Sequence, residues 1–228
     1  MGDGMDRRKL LKSGTVLGAG VLLGGVAKAA AECRPTAAQT EGPFYPVTAQ
    51  RDTDADLTKV QGRAEAAEGT VVVVRGRILN LACQPVAGAL VEIWQACATG
   101  KYNHPRDPNP ARKDPNFQYW GRVTTGVSGE YSFKTIIPGA YPATETWIRP
   151  PHIHFKVSAP NVRTFTTQLY FAGQELNASD EILQSLTPAQ QRNVIVDFQP
   201  AANTGVLTGT FDITLNIDGS HDATPELD

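Results

Sequence analysis

The chain has 228 residues, of which 41% are hydrophobic and 19% are charged. This is an ordinary globular composition, which excludes a disordered or fibrous chain and suits one domain of about 200 residues. The 21 Lys and Arg nearly balance the 23 Asp and Glu, so no basic surface points to nucleic acid as a partner.

Residues 1–31 are predicted to be an export signal. A basic start with adjacent Arg7 and Arg8 precedes an uncharged run over 13–27, and small residues follow at 29–31. The run is shorter than the roughly 20 residues that span a bilayer, so the pattern indicates a cleaved signal and leaves a membrane anchor as the alternative. The paired arginines resemble the twin-arginine type. We therefore expect a periplasmic or extracellular protein without stable membrane association.

Cys33, Cys83 and Cys97 are the only cysteines. An oxidising compartment allows one disulfide and leaves one thiol over. No Cys-x-x-Cys pair is present, which excludes a zinc ribbon or a thioredoxin-like motif. Our hypothesis is a Cys33–Cys83 bridge that ties the mature N-terminus to the body of the domain and leaves Cys97 free.

The body of the chain, residues 32–218, shows short strand patterns separated by turns. Predicted strands cover 70–79, 89–95, 121–125, 131–135, 152–158, 164–171, 194–198 and 209–217. One helix is predicted at 179–186, a long loop at 99–118 and a polar tail at 219–228. Short strands with frequent turns predict an all-β fold, an antiparallel β-sandwich with little helix.

A His-x-His pair lies in the segment RPPHIHF (149–155). Residues i and i+2 of a strand point to the same face, so His152 and His154 would project side by side, about 7 Å apart along the strand. That spacing allows both imidazoles to bind one metal, while Ile153 and Phe155 face the core. Two unrelated surface histidines are the alternative.

Arg149 is expected on the same side as His152. The two prolines between them favour polyproline II, which has three residues per turn. A guanidinium repels a metal cation, so its presence there points to an anionic substrate or to developing negative charge. The alternative is a salt bridge to a carboxylate of the sandwich.

Two tyrosines, Tyr102 and Tyr141, lie in loops that could reach such a site. A loop tyrosine is most often a surface or packing residue. If these tyrosines bind the metal, it must be a strong Lewis acid, because the phenol has an ordinary pKa near 10. Ferric iron is such a metal, and tyrosinate is one of its protein ligands.

Five segments, in order along the chain, resemble the intradiol ring-cleavage dioxygenases, the family of catechol 1,2- and protocatechuate 3,4-dioxygenases. These segments are TEGPFY (40–45), VEIWQACATGKY (91–102), GEYSFKTIIPGAYP (129–142), RPPHIHF (149–155) and TQLYF (167–171). The sequence before the first matching segment is too short for us to expect the N-terminal helical region of the catechol enzymes. The chain is therefore more similar to the iron-bearing protocatechuate subunit, or to a single-domain exported relative.

This resemblance implies a prealbumin-like core with long active-site loops, and a reaction. A non-haem Fe(III) would be held by Tyr102, Tyr141, His152 and His154. Both atoms of O₂ would enter a catechol-type diol, and the ring would open between the hydroxyl-bearing carbons to a cis,cis-muconate-type product. Arg149 would stabilise negative charge on the ring, with Gln168 beside it, and Tyr141 would also take up a proton. Family members are rarely monomers, so a homo-oligomer is expected.

Two other functions stay open at this point. A non-catalytic prealbumin-like binding module shares the strand pattern but needs no His-x-His pair. A zinc or copper enzyme could use His152 and His154 with His104, and would not need the tyrosines.

The catechol derivative is also open. Ala143 stands where protocatechuate enzymes often carry a tryptophan, so the rim of the substrate pocket differs. A carboxylated substrate requires a cation, for which Arg122, Lys101 and Arg106 are candidates that the sequence does not place.

Overall fold

The computed structural model describes residues 33–48, 50, 52–159 and 162–217, so the predicted export signal and the polar tail lie outside the described residues. In chain order the strands are β1 (Val71–Asn80), β2 (Leu90–Trp94), β3 (Trp120–Thr124), β4 (Glu130–Ile136), β5 (Tyr141–Pro142), β6 (Ile148–Arg149), β7 (His152–Ala159), β8 (Val162–Phe171), β9 (Ile195–Val196), β10 (Gln199–Pro200), β11 (Leu207–Thr210) and β12 (Ile213–Leu215). The helices are a 3₁₀ turn (Glu175–Ser179), α1 (Glu181–Gln184) and α2 (Pro188–Val194). In this part of the chain, no helix is both long enough and apolar enough to cross a membrane.

Two five-stranded sheets form a sandwich, as predicted. In the first sheet, β1 pairs with β4 on one side and with β11 and β12 on the other, and β10 extends the sheet beyond β11. The second sheet has the order β3-β2-β7-β8-β9. The sheets are mixed rather than purely antiparallel, because β11 and β12 run parallel to β1 and β9 runs parallel to β8.

The six strands predicted between residues 70 and 171 are all confirmed, with ends shifted by one or two residues. The strand predicted at 209–217 is instead split into β11 and β12. At the break, the carboxylate of Asp212 accepts the backbone N–H of Arg77, a role that a backbone carbonyl fills in a continuous ladder. Gly76 allows the close approach there, since a Cβ on it would lie 1.9 Å from the carbonyl oxygen of Phe211.

The predicted helix at 179–186 is a 3₁₀ turn followed by the single turn of α1. The helix α2 was not predicted, and it occupies the start of the strand predicted at 194–198. The sequence does contain start signals for this helix. Thr187 and Gln190 form a capping box, and Pro188 stands at the first helical position.

Side chains along β7 alternate between the hydrophobic core and the opposite face of the sheet. Ile153, Phe155 and Val157 are fully buried in the core. The ring of Phe155 lies 5.8 Å from that of Tyr131 and 5.1 Å from that of Phe211, both from the opposite side of the sandwich. Each such buried side chain contributes about 1.5–3 kcal/mol, so the core holds β7 in one register.

The predicted disulfide is confirmed between Cys33 and Cys83, with a Cα–Cα distance of 5.2 Å. Cys97 is free and buried. The bridge attaches the N-terminal segment to the turn after β1, and the segment then hydrogen-bonds to both sheets, Thr36 to Thr214 and Gln39 to Thr166. The N-terminal segment thereby brings residues 38–44 to a cavity.

We expect Cys83→Ser to lower the free energy of unfolding by roughly 4 kcal/mol, because the bridge closes a loop of 50 residues. Urea unfolding of the oxidised protein measures the loss. A reductant should cause the same loss in the wild-type protein and no further loss in the variant. An oxidised variant as stable as the wild type would contradict the prediction.

Candidate metal centre

The two histidines of β7 lie side by side and are buried, each 2% exposed. The Nε2 atoms of His152 and His154 are 3.2 Å apart. Ile153 and Phe155 face the core, as predicted. The alternative of two unrelated surface histidines is therefore wrong.

Neighbouring strands supply the surroundings of both rings. Trp94 of β2 and Gln168 of β8 stand opposite His154, and Tyr170 of β8 stands opposite His152. The indole of Trp94 stacks on the His154 ring with centroids 4.7 Å apart and planes 12° apart. Cross-strand packing therefore fixes the plane of that imidazole.

A hydrogen bond determines which nitrogen of His152 faces the site. Nδ1 lies 2.7 Å from the carbonyl oxygen of Pro150, which can only accept, so Nδ1 carries the proton. Nε2 then presents its lone pair, as a metal-ligating histidine does. Burial lowers the pKa of both histidines well below the ordinary value, and the charge of Arg149 lowers it further. Both rings are thus neutral, the form that binds a metal.

The loop after β2 and the start of β5 bring Tyr102 and Tyr141 to the same point, so Tyr141 lies on a short strand and not in a loop as predicted. Their rings meet edge to face with centroids 5.3 Å apart, and the Tyr102 hydroxyl lies 3.3 Å from Nε2 of His152. The two segments cross at Gly100 and Gly139, where a Cβ on Gly139 would lie 2.4 Å from the Gly100 nitrogen. The two backbones can approach this closely only because neither residue carries a side chain there.

Both tyrosines are buried, with exposures of 3% for Tyr102 and 5% for Tyr141. Burial raises the pKa of both phenols, and the charge of Arg149 only partly opposes the rise. By themselves they are neutral phenols. Converting them to tyrosinates requires a strongly charged cation beside their oxygens.

Arg149 lies at the centre of a buried hydrogen-bond network. Its Nε donates to Asp180 at 2.9 Å, and its Nη2 donates to Gln168 at 2.7 Å and to Tyr170 at 3.0 Å. Its Nη1 lies 3.1 Å from Nε2 of His152. The sequence analysis offered two expectations for Arg149, a place beside His152 and a salt bridge to a carboxylate. Both are met, because the guanidinium lies beside His152 and pairs with Asp180.

Asp180 is the residue that sequence reasoning missed. It is fully buried, forms the ion pair with Arg149, and caps α1 by accepting the N–H of Leu183 at 2.8 Å. An aspartate before a short apolar run does signal a helix start. Nothing in that local signal reveals a partner 31 residues away.

A cavity of about 430 Å³ opens onto this cluster. Tyr141, Arg149 and His154 form part of its wall, whereas Tyr102 and His152 do not. The other walls come from the N-terminal segment, the turn between β5 and β6, and α1. A small molecule in the cavity would contact the guanidinium, one phenol and one imidazole together.

Two neutral imidazoles and two phenols form a donor set that fits a hard, highly charged cation such as ferric iron. The approach of the Tyr102 hydroxyl and of Nε2 of His154 to the single lone pair of His152 also fits ligand atoms arranged about a cation. The zinc or copper alternative lacks its ligand set, because the described residues include no group of three or more His, Cys, Asp or Glu placed to hold a metal. His104 instead lies against the ring of Phe44.

Comparison with known proteins gives a matching family model and named relatives. A family model described as "Dioxygenase" (Dioxygenase_C) matches residues 40–217. The chain is 39% identical to the protocatechuate 3,4-dioxygenase beta chain of Burkholderia cepacia over 189 residues, which cover 80% of this chain and 79% of that protein. It is 34% identical to catechol 1,2-dioxygenase 1 of Acinetobacter lwoffii over 60% of this chain, and spans only 46% of that relative. Among solved structures, the dioxygenase domain of a dioxygenase carbohydrate-binding protein fusion from Streptomyces sp. SirexAA-E is similar with a TM-score of 0.59 and 30% identity, covering 80% of this chain and 99% of that one.

We expect Asp180→Asn to lower the free energy of unfolding by about 3–5 kcal/mol, because it leaves the buried guanidinium of Arg149 without its counter-charge. Asp212→Asn is the matched control. It breaks an ion pair with Arg77 that is partly exposed, and should cost at most about 1 kcal/mol. Urea unfolding compares the two variants, and equal losses would show that Asp180 does not compensate a buried charge.

Proposed function

The chain belongs to the intradiol ring-cleavage dioxygenase family, and on this premise we propose that it is a non-haem Fe(III) enzyme acting on a catechol-type diol and O₂. Both oxygen atoms enter the diol, and the ring opens between the two hydroxyl-bearing carbons to a cis,cis-muconate-type product. The observation that carries the proposal is the meeting of Tyr102, Tyr141, His152 and His154 beside the buried Arg149, at the end of a cavity. The named relatives are dioxygenases, and this argues against the alternative of a non-catalytic prealbumin-like binding module.

Those two tyrosines and two histidines would hold the iron. When bound, ferric iron supplies Lewis acidity, which keeps phenolate ligands ionised and activates a deprotonated diol toward O₂. Before the metal binds, the protein holds both histidines neutral and both tyrosines protonated. Iron loading should therefore release protons.

Tyr141 is suited to take a proton from the diol. It lines the cavity, whereas Tyr102 does not, so a bound diol can reach its oxygen. Burial raises the pKa of Tyr141 in the metal-free protein, so its oxygen retains a proton firmly when it is not bound to a metal. The proton would be held at Oη of Tyr141 while the diol carries the negative charge.

Arg149 would stabilise that negative charge. Its guanidinium is held on one side by Asp180 and Gln168, and it still forms part of the cavity wall. A positive group fixed before the diol arrives stabilises developing charge without having to reorganise. Gln168 positions this group, and its own amide donates to the backbone oxygen of Thr40 at 3.0 Å.

Iron binding through tyrosinate has a spectroscopic test. We expect the purified protein, loaded with ferric iron, to show a broad visible band that shifts when catechol is added without O₂. Admitting O₂ should then give a muconate, identified by mass spectrometry. A protein that stays colourless after iron loading would overturn the proposal.

Tyr102→Phe identifies a ligand in that test. Mutation of a residue that only supports a metal ligand typically weakens metal binding by about 10- to 100-fold. Removal of a ligand itself should weaken iron binding at least as much, and should also weaken the visible band. Tyr45→Phe is the control, because it removes the same hydroxyl from a tyrosine that hydrogen-bonds to Glu92, whereas the Tyr102 hydroxyl lies beside His152. Equal bands in the two variants would exclude Tyr102 as a ligand.

We also propose that the protein is exported. The twin-arginine-type start and the Cys33–Cys83 bridge support this location, because structural disulfides persist in oxidising compartments. The N-terminal sequence of the protein recovered from the periplasm or medium should begin close after residue 31. Recovery of the full-length chain from the cytoplasm alone would contradict export. The oligomeric state stays a prediction.

A further inference from the structure

We infer that, if the proposed function holds, the preferred substrate is an uncharged catechol with a bulky apolar substituent, and that catechols with a ring carboxylate are poor substrates. A diol at the candidate metal centre leaves part of the cavity empty. The size of this space, the chemistry of its wall and the placement of the nearby cations determine which substituent it accepts.

The cavity is larger than a single aromatic ring requires. Its volume of about 430 Å³ lies within the range of roughly 300–1,000 Å³ typical of pockets for drug-sized ligands. Much of the wall is apolar, and is formed by Pro43, Phe44, Pro142, Ala143, Trp147 and Ile182. Phe44 packs against Tyr102 and Trp147 lies against Arg149, so the apolar wall begins at the candidate metal centre and extends to α1. A hydrocarbon substituent would be removed from water there, which favours binding in proportion to its buried apolar area.

The charges on the wall do not suit a carboxylate. Apart from the candidate metal ligands, the ionisable side chains that line the cavity are Arg149 and Glu181. Arg149 is already paired with Asp180 and lies beside His152 at the metal end. Glu181 is exposed at the mouth, on the first turn of α1, and would repel a second anionic group.

The three cations that the sequence offered for a carboxylate are all placed outside the cavity wall. Lys101 is held by the backbone oxygens of Asp107 and Asn109, Arg122 lies over the ring of Trp120, and Arg106 donates to the backbone oxygen of the wall residue Pro43. Among the described residues, Arg149 is therefore the one Lys or Arg that lines the cavity.

The test compares kcat/KM of the iron-loaded enzyme for catechol, 4-tert-butylcatechol and protocatechuate at fixed pH and ionic strength. We expect 4-tert-butylcatechol to match or exceed catechol. Protocatechuate should be at least about tenfold poorer, since like charges across a binding site cost affinity. Calorimetric titration of the three diols without O₂ should give the same order of affinity, which separates binding from turnover.

Glu181→Lys should raise the protocatechuate-to-catechol ratio of kcat/KM by at least about fivefold, because it replaces the repelling charge with an attracting one. Glu175→Lys is the matched control, because it makes the same charge change on the neighbouring 3₁₀ turn without lining the cavity. Its ratio should stay at the wild-type value. Equal changes in the two variants would overturn the role of Glu181.

Ala143→Trp should fill space beside the apolar wall and lower kcat/KM for 4-tert-butylcatechol relative to catechol by about tenfold or more. Thr146→Trp adds the same ring to the same turn without lining the cavity, and should leave that ratio unchanged.

If catechol is cleaved but protocatechuate is cleaved equally well, this inference fails and the proposed function stands. If no diol is cleaved or bound, the proposed function itself fails.

Discussion

Every second side chain of β7 faces the hydrophobic core, and on the opposite face of the strand His152 and His154 form part of the candidate metal centre. Ile153 and Phe155 cannot leave the core without exposing apolar surface, so His152 and His154 cannot leave the site. The pairing of β7 with β2 and β8 then sets which residues stand beside the imidazoles. The geometry of the site is therefore a consequence of how the sandwich packs.

A second constraint is the positive charge of Arg149, which is 3% exposed. An unpaired guanidinium at that depth would be strongly destabilising, and one fully satisfied by acidic groups would offer nothing to a substrate. The pairing of Arg149 lies between these two extremes. Asp180 compensates the charge through Nε, Gln168 and Tyr170 hold Nη2, and Nη1 remains directed at the histidines. The ion pair thus makes a buried cation tolerable while leaving part of it available.

The sequence predicted what depends on local pattern. Alternation placed His152 and His154 on one face, the strand patterns located β1 to β4, β7 and β8, and the cysteine count led to the correct disulfide. Contacts that join distant segments were out of reach. The pairing of Asp180 with Arg149 and the parallel pairing of β11 with β1 leave no local signature. The meeting of the two tyrosines came only from the family resemblance, because neither the loop that carries Tyr102 nor the two-residue strand β5 that carries Tyr141 has a sequence pattern that shows where the side chain points.

The metal centre and the rim of the cavity are built from different parts of the fold. The histidines lie on a central strand of a sheet, whereas the rim comes from the N-terminal segment, a turn and α1. Rim residues can therefore change the shape of the cavity without replacing the candidate metal ligands. The separation is incomplete, because Tyr141 lines the cavity beside the rim turn, Phe44 packs against Tyr102, and Asp180 both caps α1 and pairs with Arg149. The helix that presents Glu181 and Ile182 to the substituent is thus fixed to the guanidinium that would stabilise the diol, and the position of that part of the rim is tied to the position of the charge.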